Sequence, residues 1–155
     1  IMQIKQTDNM WVLSVARRLA IRDVGHVAAE LAPAIDAEIG RNGMEAAGPW
    51  IFISRNLPKD ASTVFDWRIC RVVANATAYD GSFELLHLAP ALVATREYQG
   101  PLETLFSQGY ASLVEAIKTA GHTFSGESRE VYHEWHDGAS QLNRIEIQFG
   151  ITERA

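Results

Sequence analysis

The chain has 155 residues, of which 47% are hydrophobic and 21% are charged, a composition typical of a soluble globular protein. These values exclude wholesale disorder, a collagen-like repeat and a disulfide-dense mini-protein, and they predict a single domain over residues 1–155. Fourteen Lys and Arg stand against nineteen Asp and Glu, which gives a net charge of −5. Because a nucleic-acid binder usually carries a basic face, we expect no direct nucleic-acid partner.

Cysteine usage and hydropathy predict the cellular compartment. Cys70 is the only cysteine, so no intramolecular disulfide can form, which is typical of the reducing cytosol. No apolar run approaches the ~20 residues needed to span a bilayer, and the N-terminus lacks the apolar region of a signal peptide. We therefore expect a cytoplasmic protein without a membrane partner. Met2 is the expected natural start, which would leave no room for an attached DNA-binding domain.

The first half of the chain predicts a strand, a helix and a hairpin behind a short leading strand. In order, strands are predicted over residues 3–6 and 12–18, a helix from Asp23 to Asn42, and strands over residues 50–55 and 64–72. Asp23 is a suitable N-cap, and Asn42-Gly43 ends the helical pattern. The apolar stripe of this helix comprises Val27, Leu31, Ile35 and Ile39. Pro33 lies within it, so we expect a kink or a late helix start.

The second half predicts the same order of elements. Strands are predicted over residues 83–88 and 92–98, a helix from Pro101 to Ala120, and strands over residues 127–135 and 143–151. Gly100-Pro101 breaks the strand before the helix, Gly121 ends the helix, and Asp137-Gly138 marks a turn. The chain is therefore expected to be α+β, with an antiparallel sheet and two main helices on one face.

A gap-free offset of 78 positions relates the two halves. It aligns residues 15–69 with 93–147, and nine positions are identical, against roughly three or four expected from composition. Gly43 and Gly121 each close a helical pattern in this alignment, whereas Gly48 and Gly126 each open a strand. The offset predicts two strand–helix–strand–strand repeats, over about residues 3–72 and 81–151.

Alternation along the predicted strands separates two faces of the sheet. One face carries Ile51, Ile53 and Val131. The other carries Trp50, Phe52, Ser54, Glu130, Tyr132 and Glu134. Two amphipathic helices cover only one face of a small sheet, so we expect the first set beneath the helices and the second set on the uncovered face. Aromatic rings around a carboxylate there favour a binding site, although strand aromatics are also common packing residues.

Three motifs in the second half resemble the GyrI-like domain, a small-molecule-binding module also found as the effector-binding domain of AraC- and MerR-type regulators. They are Glu97-Tyr98-Gln99-Gly100-Pro101-Leu102-Glu103, then Tyr110, then Glu130-Val131-Tyr132. The resemblance covers residues 83–151 directly and the first half only through the repeat. Asp23-Val24-Gly25 replaces the usual Gly-Pro-aromatic helix start there, so the first half departs from the family pattern.

The resemblance implies a tandem-repeat fold with a ligand cleft between the halves, in which the carboxylate of Glu130 contacts aromatic and often cationic ligands. Tyr132, Trp50 and Phe52 are expected to contact the ligand as well. Tyr98 and Trp67 are candidates for the cleft and, equally, for the core. The expected function is that of a stand-alone small-molecule-binding protein of the multidrug-binding type, related to transcription regulators. A regulator or a gyrase-type protein partner is left open.

An enzyme is the main alternative. Some stand-alone members of the family hydrolyse cyclopropane-containing reactive natural products, and in that case Glu130 would be the catalytic residue that activates water. No second catalytic partner is evident in the sequence. His133 and His136 lack the spacing of a zinc-protease motif, and no phosphate-binding glycine loop is present, so we expect neither a metal nor a cofactor.

Overall fold

A computed structural model describes residues 1–74, 76 and 78–152 of the chain. The elements, in chain order, are β1 (Gln3–Gln6), β2 (Met10–Leu19), α1 (Val24–Arg41), β3 (Glu45–Arg55), β4 (Phe65–Ala74), β5 (Glu84–Leu88), β6 (Leu92–Gln99), α2 (Ala111–Thr119), β7 (Phe124–Glu134) and β8 (Arg144–Ile151). A 3₁₀ turn, Ile21–Asp23, precedes α1; a second, Leu102–Thr104, and a π-helical segment, Leu105–Tyr110, precede α2. The predicted α+β class, antiparallel strands and two main helices are confirmed.

The described residues form two compact units, which differ in part from the predicted repeats. Unit 1 combines residues 1–8 with the chain from Pro90 onward, and unit 2 comprises Asn9–Ala89. Unit 1 has the strand order β1-β6-β8-β7, and unit 2 has the order β3-β4-β2-β5. All these pairings are antiparallel. Each leading strand, β1 or β5, therefore pairs within the unit of the other repeat.

The 78-residue offset describes the hairpins and helices but not the first long strand of each repeat. Ile51 pairs with Cys70 in unit 2, and Arg129 pairs with Gln148 in unit 1, which preserves the offset in both strands. The partner of Ile69 is Val15, whereas the partner of Ile147 is Arg96. Val15 therefore corresponds to Arg96, which lies 81 positions later. The predicted equivalence of Val15 with Val93 is therefore wrong. A three-residue shift also reverses the face on which each side chain lies.

The paired glycines are partly as predicted. Gly43 and Gly121 follow the two helices with φ of 67° and 76°, the left-handed conformation that glycine favours at a helix end. Gly48 and Gly126 do not open strands. They lie inside β3 and β7, within register shifts between Ala46 and Trp50 and between Phe124 and Ser128. Each glycine therefore belongs to a bulge that is repeated in the two units.

Helix α1 packs its apolar stripe against the sheet of unit 2. Leu31, Ile35 and Ile39 join Val15, Ile69 and other residues of β2 and β4 in one buried cluster. The helix begins at Val24 and continues through Pro33, so of the two predicted alternatives, a kink or a late start, the late start is wrong. Asp23 occupies the N-cap position, but its side chain makes no capping hydrogen bond. Packing against the sheet, rather than a side-chain cap from Asp23, therefore stabilises the start of this helix.

The face of each sheet opposite its helix carries an ion pair that ties the outer strand to the unit. In unit 1 the ammonium of Lys5 lies 2.7 Å from Glu146, which also accepts a hydrogen bond of 2.8 Å from Thr95. In unit 2 Arg68 lies 3.1 Å from Glu84 and donates to Ser14 at 2.7 Å. In both units an ion pair therefore links the outer strand to the rest of the sheet. The outer strand carries the cation in unit 1 and the anion in unit 2.

Among the described residues, no helix is both long and apolar enough to cross a membrane.

Candidate functional site

The structure corrects the assignment of the two sheet faces in unit 1. Glu130 pairs with Ile147, and Ser128 pairs with Phe149. Tyr110, from the π-helical segment, donates a hydrogen bond to Glu130 and packs edge-on against Phe149 at 5.7 Å between ring centroids. Glu130 therefore lies on the helix-covered face, and Val131 lies on the other one. The alternation predicted from the sequence holds, but the face that the helix covers is the opposite one.

The same correction applies to unit 2. Trp50 and Phe52 pack against the buried cluster that contains the α1 stripe, so they lie on the helix side and not on an uncovered face. Ile51, predicted beneath the helix, pairs with Cys70 on the opposite face. Both faces of this hairpin are rich in apolar residues, so the sequence pattern alone could not show which one the helix covers.

The carboxylate of Glu130 is held by two phenols. Tyr132 donates to Oε1 at 2.6 Å, and Tyr110 donates to Oε2. Tyr110 and Tyr132 are only 6% and 8% exposed, whereas Glu130 keeps partial access to solvent. The two donors approach different oxygens, so they fix the carboxylate from both sides while part of the residue remains accessible.

Burial dominates the electrostatics of this group. Desolvation raises the pKa of Glu130 above its usual value, and the hydrogen bonds from Tyr110 and Tyr132 oppose that rise. Burial and the neighbouring carboxylate raise the pKa of both tyrosines well above 10, so both phenols remain donors at neutral pH. A cation placed beside Glu130 would lower its pKa again, because the positive charge favours the ionised form.

Local backbone geometry places Tyr110 over the sheet. Gly100 has φ of 145°, and the phenol of Tyr98 donates to the carbonyl of Pro101 at 2.6 Å, which fixes the turn before the helix. A Cβ at Gly109 would lie 2.8 Å from the end of the Ile147 side chain, so any larger residue here would force that side chain to shift, and glycine permits the close approach. The following residue, Tyr110, ends the π-helical segment and thereby reaches Glu130. Segments of this kind are frequent at functional sites.

A bulge near the end of β7 changes the predicted orientation of Glu134. Tyr132 pairs with Ile145, but Glu134 pairs with Arg144, one residue out of register. His133 and Glu134 therefore both leave the helix-covered face. His133 lies 3.0 Å from Glu146, and Glu134 lies 3.8 Å from Arg144. Glu134, which the sequence pattern placed beside Glu130, is thus removed from the site.

Two of the predicted ligand contacts belong to the core. Tyr98 is 6% exposed, and its phenol also lies 2.5 Å from the hydroxyl of Thr104. Trp67 is 3% exposed and packs edge-on against Phe52 at 5.3 Å. The ring of Trp50 lies beneath the guanidinium of Arg71, 4.7 Å from its centroid. Glu130 and Tyr132, of the predicted set, are joined by a side-chain hydrogen bond.

Tyr110 is the site residue that sequence reasoning missed. It was visible as part of the family-like pattern, but nothing in its helical spacing indicated that its phenol would reach a strand carboxylate. The signal that could have found it is the glycine at position 109, which allows the helix to approach the sheet. Within the described residues, no group of three or more His, Cys, Asp or Glu could hold a metal ion.

Comparison with known proteins shows the fold but no sequence family. No protein-family model matches the chain, and no curated protein matches it in sequence. The crystal structure of the EcmrR C-terminal domain is similar, with a TM-score of 0.80, 18% identity and coverage of 99% of this chain and 98% of that one. The EcmrR chain in a complex with DNA gives the same TM-score and identity, and there this chain spans 58% of its length.

Two further solved structures differ in what they are known to do. SAV2435 bound to tetraphenylphosphonium has a TM-score of 0.61 and 13% identity, with coverage of 98% of this chain and 94% of that one. A hydrolase from Listeria innocua has a TM-score of 0.63 and 11% identity, with coverage of 97% and 91%. The fold implied by the GyrI-like resemblance is therefore confirmed. It is shared by the EcmrR C-terminal domain, by SAV2435 bound to tetraphenylphosphonium and by a hydrolase.

Proposed function

We propose that this protein binds small aromatic cations at Glu130, as a GyrI-like small-molecule-binding protein. The observation that carries the proposal is a carboxylate that two buried phenols hold on the helix-covered face, in a residue that keeps partial access to solvent. The neighbouring SAV2435 structure, which contains tetraphenylphosphonium, supports this class of ligand at the level of the fold.

Charge gives the site its selectivity for a cation. Desolvation makes the ionised form of Glu130 costly, and a cation at contact distance offsets that cost. A neutral ligand of the same shape gains no such offset. We therefore expect the affinity for a cation to exceed that for a neutral analogue.

Aromatic rings around the tyrosines complete the site. Tyr110 packs against Phe106 and Phe149, with centroid distances of 4.6 and 5.7 Å. Such rings attract a cation through their quadrupoles and provide apolar area for a planar ligand. Trp50 and Phe52 as further ligand contacts stay predictions from the sequence.

The test is calorimetric titration of tetraphenylphosphonium into the wild type and Glu130→Gln, with neutral triphenylphosphine oxide as the uncharged probe. Glu130→Gln removes the charge and nearly preserves the shape, so it should cost about 2–5 kcal/mol for the cation and little for the neutral probe. Glu97→Gln is the matched control, because it removes an exposed carboxylate that pairs with Arg144. Equal cation affinity in wild type and Glu130→Gln would contradict the proposal.

Hydrolysis is the second candidate, because a solved structure of this fold is a hydrolase. A carboxylate with a raised pKa is suited to act as a general base for an attacking water, and the phenols of Tyr110 and Tyr132 are suited to orient it. No acid is evident among the hydrogen-bond partners of Glu130, which are both tyrosines. We therefore rank binding above catalysis.

Turnover of a cyclopropane-bearing electrophile separates the two functions. A binder consumes at most one equivalent of such a compound, however long the incubation. A hydrolase gives multiple turnovers, and Glu130→Gln should then lower the rate by about 10²–10⁴-fold. Multiple turnovers that are lost in this variant would replace the binding proposal by the catalytic one.

A further inference from the structure

The exposed ring of Trp135 extends the aromatic surroundings of Glu130. Trp135 is 52% exposed, so much of its ring is available for contact with a ligand. Its ring packs edge-on against Tyr132, with centroids 5.2 Å apart. Tyr132 in turn donates to Glu130. One buried phenol therefore separates an accessible indole from the carboxylate.

The bulge in β7 is what brings Trp135 to this position. In a regular strand Trp135 would share a face with Val131 and His133, away from Glu130. The one-residue register shift between Tyr132 and Glu134 reverses the alternation, so Trp135 turns back toward Tyr132. Bulges commonly re-aim a side chain next to a functional site.

A second exposed ring lies against the other phenol. Phe106 is 42% exposed and packs on Tyr110 at 4.6 Å with an angle of 31° between the rings. Each tyrosine that holds Glu130 is thus in contact with an exposed aromatic side chain. Trp135 has the larger and more electron-rich face, which binds cations better than phenylalanine does.

We propose that Trp135 is a specificity-determining residue that contacts the ligand of the Glu130 site and selects aromatic over aliphatic cations. The inference rests on the proposed function, since it names the ligand class that the site prefers. An aryl group of the ligand gains ring contact and apolar burial on the indole, and an alkyl group of equal charge gains less. Glu130 supplies the attraction to the charge, which both kinds of cation share.

Two phosphonium ions test this division of roles, tetraphenylphosphonium and tetrabutylphosphonium, which carry the same charge on aromatic and aliphatic groups. Trp135→Leu should lower the affinity for tetraphenylphosphonium about 5- to 30-fold and change that for tetrabutylphosphonium less than about twofold. Trp135→Phe keeps a ring and should retain most of the aromatic preference. Thermal unfolding of each variant checks that the fold is intact.

Trp11→Leu is the matched control. Trp11 is 47% exposed and packs against His87 at 5.0 Å in unit 2, so its exposure is similar but it does not contact the tyrosines. Its replacement should change neither affinity. Emission from Trp135, isolated as the difference between wild type and Trp135→Phe, should also be quenched at saturating tetraphenylphosphonium.

The outcomes separate this inference from the proposed function. If Glu130→Gln weakens both phosphonium ions but Trp135→Leu changes neither, or weakens both equally, the role of Trp135 is overturned and the site at Glu130 stands. If Glu130→Gln weakens neither ion, the proposed function fails and the inference fails with it. Selective loss of tetraphenylphosphonium affinity in Trp135→Leu supports both.

Discussion

The same position of the repeat carries a benzyl group in one unit and a carboxylate in the other. Phe52 and Glu130 are related by the 78-residue offset that the two hairpins obey, and both lie on the helix-covered face. Phe52 packs against the buried apolar cluster of unit 2, and Trp67 packs edge-on against it. Around Glu130 two phenols donate to the carboxylate.

The difference shows how one scaffold supports a core in one unit and a site in the other. Ala32 and Ser54 occupy the positions equivalent to Tyr110 and Tyr132, so unit 2 lacks both phenols. A 3₁₀ turn precedes the helix in both units, but a π-helical segment, Leu105–Tyr110, follows that turn in unit 1, whereas α1 of unit 2 is α-helical from Val24 to Arg41. The carboxylate, the two phenol donors and the π-helical segment therefore occur together in unit 1.

The largest expected effect comes from adding a carboxylate to unit 2 at the position equivalent to Glu130. Phe52→Glu places a carboxylate in an apolar cluster where no phenol stands at the equivalent positions, and apolar burial is lost as well. We expect a loss of about 2–4 kcal/mol in the free energy of unfolding at pH 7. Denaturant titration measures it, and Glu130→Gln should stay within about 1 kcal/mol of wild type. Equal stability of Phe52→Glu and wild type would remove the contrast between the units.

The two units can also be compared through the pH dependence of the ion pairs on the sheet faces opposite the helices. Gln148, Lys5, His133 and Thr95 all donate to Glu146, and against the effect of burial they lower its pKa to about 2. Its stabilisation is therefore fully present above the unfolded value of 4.5 and is lost as the pH falls toward 2. Glu146→Gln should cost about 1.5–3 kcal/mol at pH 7 and flatten the acid limb of a stability–pH curve between those values. An unchanged acid limb would show that Glu146 is not the group responsible.

The two phenols can be tested against each other at the site. Both hydrogen bonds lower the pKa of Glu130, so Tyr110→Phe should raise it further. The pH below which tetraphenylphosphonium binding fails should rise as well. Ala32→Tyr adds a phenol at the equivalent position of unit 2 and should leave this pH unchanged. A Tyr110→Phe variant with the wild-type pH profile would remove Tyr110 from the site.

The smallest effect is expected at the ion pair of unit 2. Arg68 and Glu84 are 24% and 55% exposed at their side chains, and they lie 3.1 Å apart. Solvent screens so exposed a pair, so Glu84→Gln should cost no more than about 1 kcal/mol, and less at high salt. A loss as large as that of Glu146→Gln would show that the two outer strands are held equally tightly.

Much of this fold could be predicted from the sequence, because alternation in strands and periodicity in helices are local. The order of the elements, the helix-ending glycines and the shared face of Glu130 and Tyr132 follow from such patterns. The covered face could not be predicted, since Trp50, Phe52 and Tyr132 are as suited to packing as to a surface. The bulge that turns Glu134 away from Glu130 and turns Trp135 toward Tyr132 depends on pairing with β8. The hydrogen bond from Tyr110 depends on the approach of a helix to the sheet at Gly109, a tertiary contact.

Proton release on binding tests the central claim most directly. A cation that binds beside Glu130 lowers the pKa of this residue, which burial has raised. Protons therefore leave the protein when the titration is done at a pH between the pKa of Glu130 in the free protein and its pKa in the complex. Calorimetric titration of tetraphenylphosphonium in buffers of different ionisation enthalpy, at several pH values from about 4.5 upward, counts those protons. Our account predicts net proton release by the wild type in this range and none by Glu130→Gln. Binding of equal strength with the same proton count in both proteins would contradict it.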